Sequence, residues 1–252
     1  MLLRVNDVYK TFPGPVAALD GVSLDVHSGE HVSIVGESGC GKTTLARVIM
    51  GLVDPDEGSV IFNGHPLLTA HSRRGDFSRQ VRMVFQDPFS SLDPRYSVRA
   101  ILKEALRREP KMTPGEDFLR MRKVLDLVRM PADILTRYPH EFSGGERQRI
   151  AIARALMTSP KLLILDEAVS SLDVLVQQEI LAMLEELQQR MPVTYFFISH
   201  NLRVVRRLSR KVAVMYQGRI VEYADRDTLF NAPSHPYTQV LLKAAFNYEV
   251  SP

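Results

Sequence analysis

The run Gly36-Glu37-Ser38-Gly39-Cys40-Gly41-Lys42-Thr43 has the residue types and spacing to hold a chain of phosphates. Glycines let successive backbone N–H groups turn inward around anionic oxygen, and a helix that follows presents its positive end. Lys42 is placed to neutralise the β- and γ-phosphates of a nucleotide, and the Thr43 hydroxyl to ligate magnesium, with Thr44 next in line. The plainer reading is a glycine-rich turn between a strand and a helix. It is disfavoured because a β-branched strand, His31 to Val35, enters the motif and a helix from about Thr43 to Gly51 leaves it. Cys40 occupies a variable slot of the loop and reads as a bystander thiol.

A second constellation is Lys161-Leu162-Leu163-Ile164-Leu165-Asp166-Glu167, an apolar strand ending in two acids. A continuous apolar run suits a buried parallel strand, and ligands gather at the C-terminal ends of such strands. Asp166 is then placed to hold magnesium, and Glu167 to polarise an attacking water. Acids after strands are common, so this motif is weak alone; beside the phosphate loop it is strong.

These residues must be positioned by a substantial core. The chain has 252 residues, room for one large domain or one domain with an insertion. Hydrophobic residues make up 45% and charged residues 24%, an ordinary globular balance. The net charge of +3 is too small to argue for nucleic acid. A single cysteine excludes a disulfide framework within the chain. The first residues lack the apolar run of a secretory signal, and no uncharged stretch approaches the roughly 18–20 residues that span a bilayer.

Alternation at Leu3, Val5 and Val8 and at Val22, Leu24 and Val26 predicts strands around the Pro-Gly-Pro turn at 13–15. Val60-Ile61-Phe62 leads into Asn63-Gly64, a strong turn signal, and Val81 to Phe85 reads as another strand. From Asp87 to Tyr138 the β pattern stops, and Val98 to Arg108 and Phe118 to Val128 have helical spacing. Helices are then expected at about Gly145 to Thr158 and Val174 to Arg190, with strands at Lys161 to Leu165 and Val193 to Ser199. A hairpin is expected through Gln217-Gly218. Strands alternating with helices predict an α/β fold with a mostly parallel sheet.

The stretch Phe142-Ser143-Gly144-Gly145-Glu146-Arg147-Gln148-Arg149 resembles the signature motif of ABC transporter ATPases, usually written LSGGQ, with Phe142 in place of Leu and Glu146 in place of Gln. Its serine hydroxyl and glycine N–H groups stand at a helix start, where they favour anionic oxygen. A plain N-cap would not account for the other stations of the family, which follow in order. Phe12 resembles the aromatic that stacks on adenine, with Tyr9 as a rival and a core aromatic as the plainer alternative. Gln86 resembles the glutamine that reaches magnesium and senses the γ-phosphate. Ser170-Ser171-Leu172-Asp173 resembles the loop that crosses the dimer seam, and His200 the histidine that contacts the γ-phosphate. The resemblance covers roughly residues 3 to 245.

The resemblance implies a P-loop NTPase cassette: a RecA-like core, an N-terminal antiparallel β subdomain and a helical subdomain inserted at approximately 87–158, all within one domain, 1–252. It implies ATP and Mg2+ as ligands. ATP would meet Phe12, Gly36 to Thr44 and, from a facing cassette, Ser143, Gly144, Gly145 and Glu146. Thr43, Gln86 and Asp166 would hold the metal, and Glu167, His200 and Gln86 would serve hydrolysis. Two segments, Gln86-Asp87-Pro88-Phe89-Ser90-Ser91-Leu92-Asp93-Pro94-Arg95 and Asn231-Ala232-Pro233-Ser234-His235-Pro236-Tyr237-Thr238, are similar to those of peptide and nickel importers. Glu167-Ala168-Val169-Ser170 departs from the commoner Glu-Pro-Thr-Ser and is similar to the nickel or metal-chelate branch. Many relatives in this group carry a cysteine-bound iron–sulfur cluster near the C-terminus; without cysteines there, none is expected.

The implied partners are a second ATPase subunit, two transmembrane permeases and an extracytoplasmic solute-binding protein, with no nucleic acid. The implied place is peripheral, on the cytoplasmic face of the inner or plasma membrane. ABC ATPases that act on DNA or ribosomes are the alternative. DNA-repair forms separate the two nucleotide motifs by a long coiled coil, and no sustained heptads appear here. Ribosome-associated forms usually carry two cassettes in one chain. A regulatory module that holds ATP without turnover conflicts with intact Lys42, Asp166, Glu167 and His200. An exporter is disfavoured by the segments around Pro88 and His235. The solute itself stays open among dipeptides, oligopeptides, nickel and metal chelates.

Overall fold

The computed structural model describes residues 1–14, 17–67, 76–85, 87, 91–107, 109 and 112–246. They fall into two compact units, one of Met1–Arg74 with Thr194–Pro252, the other of Gly75–Val193.

The first unit holds two sheets. Strands β1 (Leu3–Thr11), β2 (Ala17–Val26), β4 (Glu57–Phe62) and β5 (His65–Pro66) form an antiparallel sheet in the order β2-β1-β4-β5. Its register sets Leu3 against Val26 and Phe62, and Val5 against Leu24 and Val60. That register buries the alternating apolar residues on one face, because side chains in a strand repeat every second position. Asn63 and Gly64 both take positive φ, 51° and 80°, as a tight two-residue turn requires.

The other sheet of this unit is mixed. Strand β3 (His31–Val35) pairs in parallel with β8 (Thr194–Ile198) on one side and β9 (Lys211–Tyr216) on the other. Strand β10 (Arg219–Asp225) returns antiparallel to β9 through Gln217 and Gly218, at φ 46° and 80°. The two sheets are tied where Asp20 N–H donates to Gly218 O at 2.9 Å and the Tyr223 hydroxyl to Asp25 O at 2.7 Å. Helices α1 (Lys42–Ile49), α7 (Leu202–Leu208), α8 (Arg226–Asn231) and α9 (Pro236–Phe246) complete the unit. The last three were not anticipated from periodicity.

In the second unit β6 (Val81–Val84) and β7 (Leu162–Asp166) pair in parallel, Val81 against Leu162 and Val84 against Leu165. Helices α2 (Asp76–Gln80), α3 (Val98–Ala105), α4 (Pro114–Leu127), α5 (Gly144–Leu156) and α6 (Val174–Arg190) surround them. Helix α4 starts with a reciprocal cap: Thr113 N–H donates to Glu116 Oε2 at 2.7 Å and Glu116 N–H to Thr113 Oγ1 at 3.3 Å. Ile150, Leu163, Ile164, Ile180 and Leu184 are wholly buried. The α/β class, the N-terminal antiparallel sheet and the parallel strands agree with the expectation. Among the described residues, no helix is long and apolar enough to cross a membrane.

Candidate nucleotide site

Strand β3 is buried through Val35 and delivers the chain into the glycine loop. Gly36 sits at φ 151°, and a Cβ there would lie 2.1 Å from Met215 O on β9. Gly41 sits at φ 110°, where a Cβ would lie 2.2 Å from Ala18 O on β2. Both glycines are therefore demanded by neighbouring backbone as well as by φ. At Gly39, φ 83°, the space is open and only the backbone angle asks for glycine.

Helix α1 begins at Gly41 with no side-chain cap and no acid in its first turn. Its first N–H groups and the positive end of its dipole are left for a ligand. Lys42 is buried: Nζ donates to Gly36 O at 2.8 Å and Glu37 O at 2.7 Å, with Cys40 Sγ at 3.6 Å. The ammonium is thus folded over its own loop and held there by two of its carbonyls. Cys40 is buried, with its carbonyl accepting from Gly218 N–H at 3.1 Å. Thr43 is exposed in the first turn.

Ile34 and Ile198 are partners across β3 and β8, and Ser199 N–H donates to Ile34 O at 3.2 Å. Gly36 and His200 each follow two residues beyond that pair, so both leave the sheet at the same edge. His200 is exposed there. Phe12 follows β1 and is 42% exposed, its ring 5.7 Å from the Lys10 ammonium. The rival aromatic differs: the Tyr9 ring packs on Gly21, its hydroxyl 3.0 Å from where a Cβ would stand. Tyr9 is nearly as exposed, at 39%, so the contact of its ring with Gly21 is what distinguishes the two aromatics.

The acids and the signature segment belong to the second unit. Leu162 to Leu165 are fully buried and Asp166, closing the strand, is 7% exposed. Glu167 takes φ 48°, a left-handed backbone that costs a non-glycine residue of order 1 kcal/mol or more. Its carbonyl accepts from Ser170 N–H at 3.0 Å and Ser170 Oγ at 2.9 Å, which hold the turn. Asp173 caps α6, accepting from Val176 N–H at 3.0 Å.

Ser143 caps α5. Its oxygen accepts from Glu146 N–H at 3.3 Å, while Ser143 N–H and Oγ both donate to Glu146 Oε2 at 2.8 Å. These bonds from Ser143 hold the Glu146 carboxyl below its ordinary pKa. This helix start already carries an anion of its own, whereas that of α1 does not. Gly145 is forced by packing: a Cβ there would lie 2.3 Å from Val176 Cγ1. Periodicity along the chain could not reveal that contact. Gln86 lies outside the described residues. The structure thus gathers the loop, Phe12 and His200 in one unit, and Asp166, Glu167 and Ser143 to Glu146 in the other.

Residues 19–170 match the ABC transporter family, well over half of the chain. The chain belongs to the ABC transporter family, as an ATPase cassette. Residues 221–250 match the oligopeptide/dipeptide transporter C-terminal region. The oligopeptide transport ATP-binding protein AppF of Bacillus subtilis is 44% identical, covering 96% of this chain and 78% of that protein. OppF of the same organism is also 44% identical, over 96% of this chain and 82% of the relative. A putative peptide import ATP-binding protein of Brucella ovis is 45% identical, over 94% and 75%. Among solved structures, cbiO1 of Clostridium perfringens superposes with a TM-score of 0.83 at 27% identity, covering 92% of this chain and 91% of that one. The ATP-binding cassette MJ0796, solved with ADP and Pi, shares the fold at a TM-score of 0.78 and 24% identity, over 89% and 99%.

Proposed function

We propose that this cassette binds and hydrolyses ATP to power a peptide importer. The observation that carries the reading is Lys42, folded onto a loop whose helix start is left uncapped. Peptide is favoured as solute because the relatives above are named for oligopeptide transport or peptide import.

In this reading Gly36 to Thr44 bind the phosphates and Phe12 stacks on adenine. Bound magnesium would supply charge neutralisation on the phosphates, and Thr43, Gln86 and Asp166 would hold it. An exposed hydroxyl and a carboxylate are hard oxygen donors that suit that ion, though too few to cage it without the nucleotide. Glu167 orients water and takes its proton as the oxygen attacks the γ-phosphorus. The bond to the β-phosphate oxygen breaks, ADP and phosphate leave, and His200 positions the γ-phosphate. Ser143 to Glu146 complete the site of a facing cassette. The whole chain works as one ATPase domain with residues of about 87–158 as a helical insert. It sits peripherally on the cytoplasmic face of the membrane with a second ATPase subunit, two permeases and an external binding protein.

Glu167→Gln tests the assignment. The amide keeps the size but cannot take a proton, so turnover in the reconstituted complex should fall about 10²-fold or more. ATP affinity of the purified chain should stay at the parent value. Near-parental phosphate release would remove Glu167 from its role.

A further inference from the structure

We infer that Tyr237, on the C-terminal helix, is a positioning residue for the nucleotide loop, acting through the peptide that holds Lys42. The inference rests on the reading of residues 36–44 as a nucleotide site. The Tyr237 hydroxyl accepts from Glu37 N–H at 3.3 Å, a contact between residues 200 positions apart. That N–H belongs to the peptide unit joining Gly36 to Glu37. The carbonyl of the same unit, Gly36 O, accepts from Lys42 Nζ at 2.8 Å. A trans peptide is planar and its N–H and C=O point opposite ways. The hydroxyl on one edge therefore sets the orientation of the carbonyl that receives the ammonium on the other.

Tyr237 and the helix that bears it are themselves held in place. Its ring lies 4.2 Å from that of Tyr216, the last residue of β9. The turn leading into it is fastened to Glu222: Ser234 N–H and Oγ donate to Oε1 at 2.9 Å each, and His235 N–H to Oε2 at 3.0 Å. Burial pushes the Glu222 pKa up, but these hydrogen bonds outweigh it and hold the carboxyl below its ordinary value, charged at neutral pH. Further along the helix, Leu242 enters a cluster that includes Val35, the residue before the loop. The helix, the strand and the loop are thus one packed assembly, in which the tyrosine contributes a single polar contact at the back of the loop.

A loop whose first peptide is oriented in advance loses less freedom when it closes on phosphates. Without the hydroxyl, that peptide can rotate and Lys42 loses a fixed receiver. Tyr237→Phe removes one hydrogen bond and nothing else, so the dissociation constant for MgATP should rise about three- to tenfold. MgGTP should weaken by the same factor, because the effect is on the phosphate end. The unfolding temperature without nucleotide should not change.

Calorimetric titration of the purified chain with MgATP and MgGTP, with thermal unfolding alongside, reads all three. An unchanged or tighter constant for Tyr237→Phe would overturn the inference. So would a weakening that comes only with a lowered unfolding temperature, since the tyrosine would then support the fold and not the loop. Lys42→Ala, run in parallel, isolates the parent reading: equal MgATP affinity in that variant and the parent chain would show that the loop is not a phosphate site, and the inference would fall with it.

Discussion

Two glycines of the same loop should respond very differently to a methyl group. Gly39 and Gly41 both lie in the positive-φ region, at 83° and 110°. Alanine at either position pays about 1–3 kcal/mol of backbone strain. At Gly39 nothing else follows, because no heavy atom lies within 4 Å of the new Cβ. At Gly41 the Cβ falls 2.2 Å from Ala18 O and 2.8 Å from Met215 Cε. The methionine tip can move. The carbonyl belongs to β2, and relieving the overlap needs a backbone shift of roughly 1 Å, adding about 1–3 kcal/mol of overpacking. Gly41→Ala should therefore be less stable than Gly39→Ala by about 2 kcal/mol, which for a chain of this size is about 4–8 °C in unfolding temperature. Thermal unfolding followed by circular dichroism at one scan rate measures the gap. Equal midpoints for the two variants would refute the reasoning, because both positions carry positive φ and only Gly41 also meets neighbouring backbone.

The same contrast exists at the signature segment: Gly145→Ala meets Val176 Cγ1 at 2.3 Å, a stiff β-branched side chain, while Gly144→Ala meets only Leu172 Cδ2 at 3.6 Å. Gly145→Ala should cost about 1–3 kcal/mol in denaturant unfolding and Gly144→Ala should be neutral or stabilising; the reverse order would deny the close approach of α5 and α6. Acid should expose His31, whose pKa burial pushes down to about 4 against the opposing pull of Glu30. Unfolded, the imidazole binds its proton near pH 6.5, so between about pH 6.5 and 4 the unfolded chain binds more protons and stability falls as pH drops, by at most about 3 kcal/mol. His31→Phe should flatten that part of the stability curve, and an unaltered pH profile would remove His31 as its source.

How much of this could be read along the chain depends on whether the constraint is local. The phosphate loop was legible because its chemistry needs glycines, a lysine and a hydroxyl at fixed spacing, between a strand and a helix that show their own periods. The apolar strand ending at Asp166 was legible for the same reason. The helical spacings at 98–108 and 118–128 located α3 and α4 to within a few residues. Glu167 looked like any acid after a strand; that its backbone is left-handed follows from the turn closed by Ser170, which no residue type announces. Gly145 matched a family pattern, yet the physical demand for it is made by Val176, 31 positions on.

Tyr237 shows the same limit most clearly. Its segment was distinctive enough to be matched with peptide and nickel importers, but resemblance carries no account of what a tyrosine does there. The account comes from a hydroxyl against one N–H, 200 positions away. The helix bearing it was not visible from periodicity, and its docking depends on Glu222, a carboxylate on β10. Buried among three donors it is what holds the turn in place. A loop that closes on a ligand needs support from behind as well as the residues that face the ligand. In this chain that support is drawn from β2, β9 and α9, all distant in sequence from the loop they brace.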